Sequence, residues 1–280
     1  MPGIHVVSDS GCDLPPEIVD EHQIAIVPLM VRFGAEELTD LTAKEFWARC
    51  RRTSVLPETS APSPGSFAEA FRDAAAAGAE GVVCVNLSSR LSATIQSAQA
   101  AAKEVADVIA VRVVDSLNVS LGEGLLVLAA AQLVKEGKDL EAVADAVEAM
   151  VTRTRVIAVL DTLDNLKKGG RIGGARALLG SVLSIKPVIQ LVDGVVEQVS
   201  KQRTRSRSLR YLADEVAKGA ASDHFDRLAV MHGDAADLDE FVDLLIPLVP
   251  RERLLIAWVG PVIGTHAGPG VVGCAWLARP

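Results

Sequence analysis

The chain has 280 residues, 49% of them hydrophobic, 23% charged and only 4% aromatic, and it carries a net charge of −8 at pH 7. So much aliphatic residue can bury a core, which excludes intrinsic disorder and collagen-like structure, and the length points to about two lobes. Scarce aromatics and an acidic balance argue against nucleic-acid binding and general attraction to anionic lipid, so any anion site has to be built locally.

Short β-branched runs alternate with capped helical patterns, which predicts a parallel α/β sheet in the first half. Strands are expected at Ile4–Ser8, Gly81–Val85 and Val108–Val114. Asp13 with Pro15 and Pro16 reads as one helix start, Thr42-Ala43-Lys44-Glu45 as a capping box, and Ser63-Pro64 as the start of a helix that stops at Gly78. Ser88 or Ser89 is expected to cap a helix over Leu91–Val105, Ser120 one covering Leu125–Val134, and Asp139 one ending near Thr152.

The rhythm changes at Arg155. Arg155–Leu160 reads as a strand, Lys186–Leu191 and Val195–Ser200 flank Asp193-Gly194 as a hairpin, and Leu228–Met231 and Leu254–Trp258 follow as strands. The expectation is a two-lobed α/β protein with a boundary near Thr152–Thr154. An N-terminal lobe with a parallel sheet occupies residues 1–153, a C-terminal mixed α/β lobe occupies 154–280, and a ligand cleft or tunnel lies between them. Leu254–Ala278 lacks Lys, Arg, Asp and Glu for 25 residues, yet its five glycines and two prolines favour strand, glycine-rich loop and strand over a membrane span. The first residues carry no basic or apolar leader, so a cytoplasmic location is expected. Cys12, Cys50, Cys84 and Cys274 have no metal-finger or disulfide-scaffold spacing and read as buried thiols.

Polar residues gather in the loops after strands, where open α/β sheets bind ligands. Turn and helix-start amides account for Asp9, Ser10 and Asp13, with a ligand role as the alternative. In Thr59-Ser60-Ala61-Pro62-Ser63-Pro64, Ser63 is a cap, while Thr59 and Ser60 lie outside it and are free to donate to a ligand. Leu87–Thr94 holds more hydroxyls than one cap needs, and Ser92 is the candidate carboxylate donor. Asp115-Ser116 with Ser120-Leu121-Gly122-Glu123-Gly124 is read as structural. Lys167-Lys168-Gly169-Gly170-Arg171-Ile172-Gly173 can surround a carboxylate or phosphate; the lysines are read as solvated, and Arg171 is the ligand candidate. Gly260–Gly270 reads as a tight loop presenting His266. His232 with Asp234, Asp237 and Asp239 reads as a strand end and acidic helix start rather than a metal site. The basic run Lys201–Arg210 is either a solvated helix face or a docking patch. Nucleotide-loop, nucleophile-elbow and zinc-protease motifs are absent.

Six segments, Ser8-Asp9-Ser10…Asp13-Leu14, Thr59-Ser60-x-Pro62-Ser63, Ser88-Ser89-x-Leu91-Ser92-x-Thr94, Asp115-Ser116…Ser120-x-Gly122-x-Gly124, Gly169-Gly170-Arg171-Ile172 and Gly264-Thr265-His266-x-Gly268-Pro269-Gly270, together resemble the DegV family over nearly the whole chain. The resemblance implies a two-lobed protein that buries one long-chain fatty acid as the binding subunit of bacterial fatty acid kinase. The catalytic subunit, with its ATP and Mg, would be another chain, and this one would hold no cofactor or metal. Carried over, the resemblance sets the carboxylate against Ser92 and the Thr59-Ser60 loop, with Thr265 and His266 beside it. Arg171 and His266 would face the phosphoryl-transfer end, and transient membrane contact is compatible with such a carrier. Ala61 and Ala93 depart from the family pattern, where Gln and Gly are usual. Two rival readings remain: a Ser/His acyl hydrolase with Ser92 or Ser60 as nucleophile, His266 as base and Asp9 as orienting acid, and a substrate-binding kinase subunit resembling the dihydroxyacetone type.

Overall fold

The computed structural model describes residues 3–178 and 185–280. The first half runs β1 (Ile4–Asp9), α1 (Pro16–Glu21), β2 (Ala25–Val27), β3 (Met30–Phe33), β4 (Glu36–Leu38), α2 (Ala43–Arg52), β5 (Glu58–Ser60), α3 (Pro64–Ala76), β6 (Gly81–Asn86), α4 (Thr94–Glu104), β7 (Ala110–Asp115), α5 (Leu121–Lys135) and α6 (Leu140–Val151). The second half runs β8 (Thr154–Val159), α7 (Asp164–Lys168), β9 (Lys186–Val192), β10 (Val195–Gln202), α8 (Arg205–Ser222), β11 (Leu228–His232), α9 (Leu238–Leu245), β12 (Leu254–Trp258), α10 (Pro261–Ala267) and β13 (Val272–Leu277).

The first sheet, in the order β2-β1-β6-β7, is wholly parallel. Its strand β6 is buried along its whole length, as a strand covered by helices on both faces must be, which is why Gly81–Val85 reads as an unbroken apolar run. The second sheet, in the order β10-β9-β8-β13-β11-β12, is antiparallel except for the β11–β12 pair. The β9–β10 hairpin turns at Asp193 and Gly194, both with positive φ, as a two-residue turn of the primed kind requires. The α/β class and the parallel and mixed sheets thus stand as the sequence pattern implies.

A third sheet, β4-β3-β5, is antiparallel and has no counterpart in the sequence reading. Its strands are three or four residues long, with Arg32, Glu37 and Glu58 side by side on the outer face and Glu36 exposed at the start of β4, so no alternation long enough to recognise develops. Together with α2 it packs against α10 from the far end of the chain. Gly264 makes that contact possible, because a Cβ there would stand 2.7 Å from both the Phe46 and Trp47 rings. The Trp47 indole N–H donates to the Val259 carbonyl at 2.8 Å, stitching α2 to the end of β12.

Three helix starts follow the sequence signals: Thr42 and Glu45 form the reciprocal capping box, Ser63 accepts from the Ser66 amide, and Asp139 accepts from the Ala142 amide. Others differ. Neither Ser88 nor Ser89 caps α4, which begins only at Thr94 after a turn; the Ser88 hydroxyl donates instead to the Gly194 carbonyl across the hairpin tip. Helix α5 starts at Leu121, four residues earlier than expected, and Ser120 caps nothing with its side chain. Asp13 does not cap α1 either. Leu254–Ala278 forms strand, helix and strand, so His266 rides on the last turn of α10 rather than on a glycine loop. Among the described residues no helix is long and apolar enough to cross a membrane.

One hydrophobic core draws from both halves, joining Val6, Val85 and Leu126 to Val156, Leu160 and Met231. Two further cores lie on the outer faces, one in each half. Within the shared core, α5 lies between the two large sheets, against β1 and β6 on one side and β8, β11 and β13 on the other, and a cavity opens in that core.

Candidate functional site

The cavity comprises about 850 Å³ of non-atomic space, the open solvent at its mouth included. Its walls are aliphatic: Leu29, Leu87, Leu160, Ile189, Met231 and Val262 are representative. Its polar lining residues are Thr59, Ser92, Ser120, Arg171, Gln190 and His266, of which Thr59, Arg171 and His266 mark one end. A second, polar hollow adjoins that end. It shares Thr59, Arg171 and His266 and adds Glu58, Asn165, Lys168 and Thr265. The three shared residues therefore form a partition between an apolar chamber and a polar one.

Strand alternation selects Thr59. On β5 it is half-buried and faces the cavity, whereas Ser60 points to the opposite face, is exposed and lines neither chamber. Ser92 lies in the turn before α4. Its hydroxyl stands 2.8 Å from the Thr94 hydroxyl and accepts from the Thr94 amide at 3.3 Å, which fixes it at the chamber wall.

Arg171 owes its direction to a helix end. Helix α7 closes with Gly170 at φ 73°, the Gly170 amide donating to Lys167 and the Arg171 amide to Leu166, the double bond pattern of a Schellman cap. The guanidinium then donates through Nε to the Leu91 carbonyl at 2.9 Å and through Nη1 to the Gly169 carbonyl at 2.6 Å. It thereby ties the Leu91-Ser92 turn to the α7 loop. Lys167 and Lys168 are exposed at the helix end, as expected.

The His266 ring is placed by two neighbours. Nε2 stands 2.8 Å from the Thr59 hydroxyl, and Nδ1, buried without a partner among the described residues, rests on Gly169, where a Cβ would fall 2.3 Å from it. Burial, and then the nearby Arg171 charge, push its pKa down to about 4, so the imidazole is neutral at pH 7. Thr265 is buried on the polar-chamber side, and its hydroxyl donates to the Pro261 carbonyl one turn back.

Behind the Leu87 wall lies a group of buried acids. Asp9 accepts from the amides of Gly11 and Leu87 and from Asn86 Nδ2, at 2.8 to 3.0 Å, and burial still raises its pKa to about 6. Glu123 is fully buried, accepts from the Ser8 hydroxyl at 3.2 Å, and has its pKa raised well above the usual range by burial and then by Asp9. The reading of the Ser120–Gly124 segment as structural did not single out Glu123. The available signal was a lone acid among Leu121, Leu125, Leu126 and Val127, since an unpaired charge is almost never buried ionised.

These contacts do not assemble a hydrolase relay among the described residues. Ser92 pairs with Thr94 rather than His266, His266 Nδ1 has no orienting acid, and Asp9 is bound to backbone amides. His232 packs against Trp258 with ring centres 4.4 Å apart, while Asp234 pairs with Arg51 and Asp237 with Arg205, so that acidic cluster is engaged elsewhere. In the basic run, Thr204 caps α8, Arg205 binds Asp237, and Lys201, Arg203, Arg207 and Arg210 are exposed.

Comparison with known proteins gives a consistent result. The family model described as "Uncharacterised protein, DegV family" matches residues 3–279. A DegV domain-containing protein of Streptomyces coelicolor is 37% identical over 281 residues, covering 99% of each chain. Among solved structures, a fatty-acid-binding DegV family protein from Thermus thermophilus superposes with a TM-score of 0.89 at 33% identity, over 99% of this chain and 100% of that one. A stearic-acid-binding protein from Eubacterium ventriosum gives a TM-score of 0.89 at 27% identity, over 99% and 98%.

Proposed function

The chain belongs to the DegV family, and on that premise we propose that it is a fatty-acid carrier that buries a long acyl tail and presents the carboxylate to a separate kinase. The observation that carries this reading is the partition formed by Thr59, Arg171 and His266 between an aliphatic chamber and a polar one. An amphiphile with one charged end fits that division. Each buried methylene contributes ~0.8 kcal/mol, so a tail of about fifteen yields a gross stabilisation of roughly 12 kcal/mol before ordering costs. The buried carboxylate needs donors, and the hydroxyls of Thr59 and Ser92, with the neutral imidazole of His266, supply them.

In this reading a carboxylate oxygen attacks the terminal phosphorus of ATP held with Mg by the partner, giving an acyl phosphate and ADP. Arg171 and His266 would face the charge that builds on the transferring group, with the Arg171 guanidinium held in place by the bonds of its Nε and Nη1 to backbone carbonyls. Thr265 borders the polar side of the site. Ser60, facing away, contributes through the backbone of β5 alone. The chain acts as carrier and co-substrate presenter, without autonomous catalysis, in the cytoplasm.

The test is denaturing extraction of the purified protein followed by mass spectrometry, comparing wild type with Ser92→Ala and His266→Ala. Stoichiometric free fatty acid, reduced in both variants, is expected. An empty protein that also takes up no added fatty acid overturns the carrier reading and leaves a polar substrate in the same cleft.

A further inference from the structure

Helix α10 supplies Val262, Ile263 and Ala267 to the apolar chamber and His266 to the partition, yet it is only seven residues long and its N-cap, Gly260, offers no side-chain cap. What holds its start is a residue 247 positions away: the Gly260 amide donates to Asp13 Oδ1 at 3.0 Å. The other carboxylate oxygen, Oδ2, accepts from the Ser120 hydroxyl at 2.5 Å. Ser120 in turn lines the apolar chamber, donates its amide to the Gly11 carbonyl and precedes α5.

Both partners sit in uncommon backbone conformations for residues other than glycine, Asp13 at φ 51° and Ser120 at φ 52°. Such conformations persist where the surroundings over-determine them. Gly260 is fitted to the same contact: a Cβ there would stand 2.5 Å from Asp13 Oδ1, and only Asp13 atoms lie within 4 Å of it. The φ of Gly260, −74°, is open to any residue, so the absence of a side chain serves the approach of the carboxylate and not the backbone.

We propose that Asp13 is a positioning residue for the carboxylate-binding end: by holding the amide of the α10 N-cap, Gly260, and the Ser120 hydroxyl at once, it fixes where that helix presents His266. The inference deepens the fatty-acid reading and rests on it for its ligand readout. A short helix tethered at one end transmits a shift of that end to its last turn, and the Thr59–His266 contact at that turn leaves little slack at 2.8 Å.

The experiment compares wild type, Asp13→Ala and Asp13→Asn by two readouts. The first is the preference for hexadecanoic acid over hexadecanol, which share a tail and differ in the head. The second is the His266 ring titration in ligand-free protein by NMR. Asp13→Ala is expected to lower the acid-over-alcohol preference at least fivefold and to move the His266 midpoint upward by at least one pH unit. Asp13→Asn keeps an acceptor for Gly260 and a partner for Ser120, and is expected to behave as wild type in both. Should Asp13→Ala fail to fold, Gly260→Ala opens the same contact from the other side and is expected to reproduce its effects. An unchanged preference and midpoint, or an equal loss for acid and alcohol, overturns the proposal. A wild-type protein that binds neither ligand overturns the fatty-acid reading, and the His266 titration then decides the positioning role by itself.

Discussion

The Thr59 hydroxyl and Nε2 of His266 stand 2.8 Å apart although 207 residues separate them in the chain. The contact joins the small antiparallel sheet of the first half to the last helix of the second, at the boundary between the apolar and polar chambers. Replacing Thr59 by Val keeps the shape and removes the hydroxyl. Hydrogen bonds to a charged group contribute about 1.5–3 kcal/mol, so fatty-acid affinity is expected to fall roughly ten- to hundredfold. Fluorescent fatty-acid displacement measures this, and an unchanged dissociation constant rejects a head-group role for Thr59.

Arg171→Lys keeps the charge and loses the fork. A lysine ammonium on a flexible stem cannot reproduce the planar reach to the carbonyls of both Leu91 and Gly169. Hydrogen exchange across residues 88–94 is expected to speed up several-fold, with fatty-acid affinity weakened by a smaller factor. Exchange identical to wild type would show that the Leu91-Ser92 turn holds its place without the guanidinium.

Gly264→Ala sets two effects against each other. Alanine is favoured over glycine in a helix by about 1 kcal/mol, but the new methyl meets the rings of Phe46 and Trp47 at 2.7 Å, and both are fully buried. Overpacking costs about 1–3 kcal/mol, so net destabilisation is expected, read as a melting temperature lower by a few degrees. A rise in melting temperature would mean that α2 yields to the intrusion.

Glu123→Gln tests the buried acids. With its folded pKa raised above the unfolded value, Glu123 stays protonated in the native state while the unfolded chain ionises above about pH 4.3. The wild type therefore loses stability as pH rises from that point, at about 1.4 kcal/mol per pH unit for this group until the native side chain also ionises. Asp9 and Asp13, raised to about 6 and about 7, act in the same direction over their own windows. Gln imitates the protonated acid and does not titrate. Denaturant unfolding at pH 5, 6.5 and 8 is expected to show the variant gaining on wild type as pH rises, and parallel curves would place an ionised Glu123 in the native state.

Local chemistry in the sequence decided much of this protein. The β-branched runs, the Thr42/Glu45 box and the caps at Ser63 and Asp139 each encode backbone within a few residues of themselves, and they give the α/β order. The residue types at the partition, Thr59, Arg171 and His266, and Ser92 on the wall of the apolar chamber, are also visible, because hydroxyls, a guanidinium and an imidazole stand out in an aliphatic, acidic chain. Other features came only with tertiary packing. Strand β5 is too short for its alternation to be read, so the choice of Thr59 over Ser60 waits on the pairing of β5 with β3. The Gly260–Gly270 stretch, rich in glycine and proline, becomes a helix because α2 and the small sheet pack onto it and Asp13 holds its start. Glu123 and Ser8 are neighbours because α5 lies against β1, a contact that residues 115 apart cannot announce locally. Propensity acts over a turn or a strand, whereas the site depends on distances near 3 Å between residues up to 247 apart, and only the closed core fixes those.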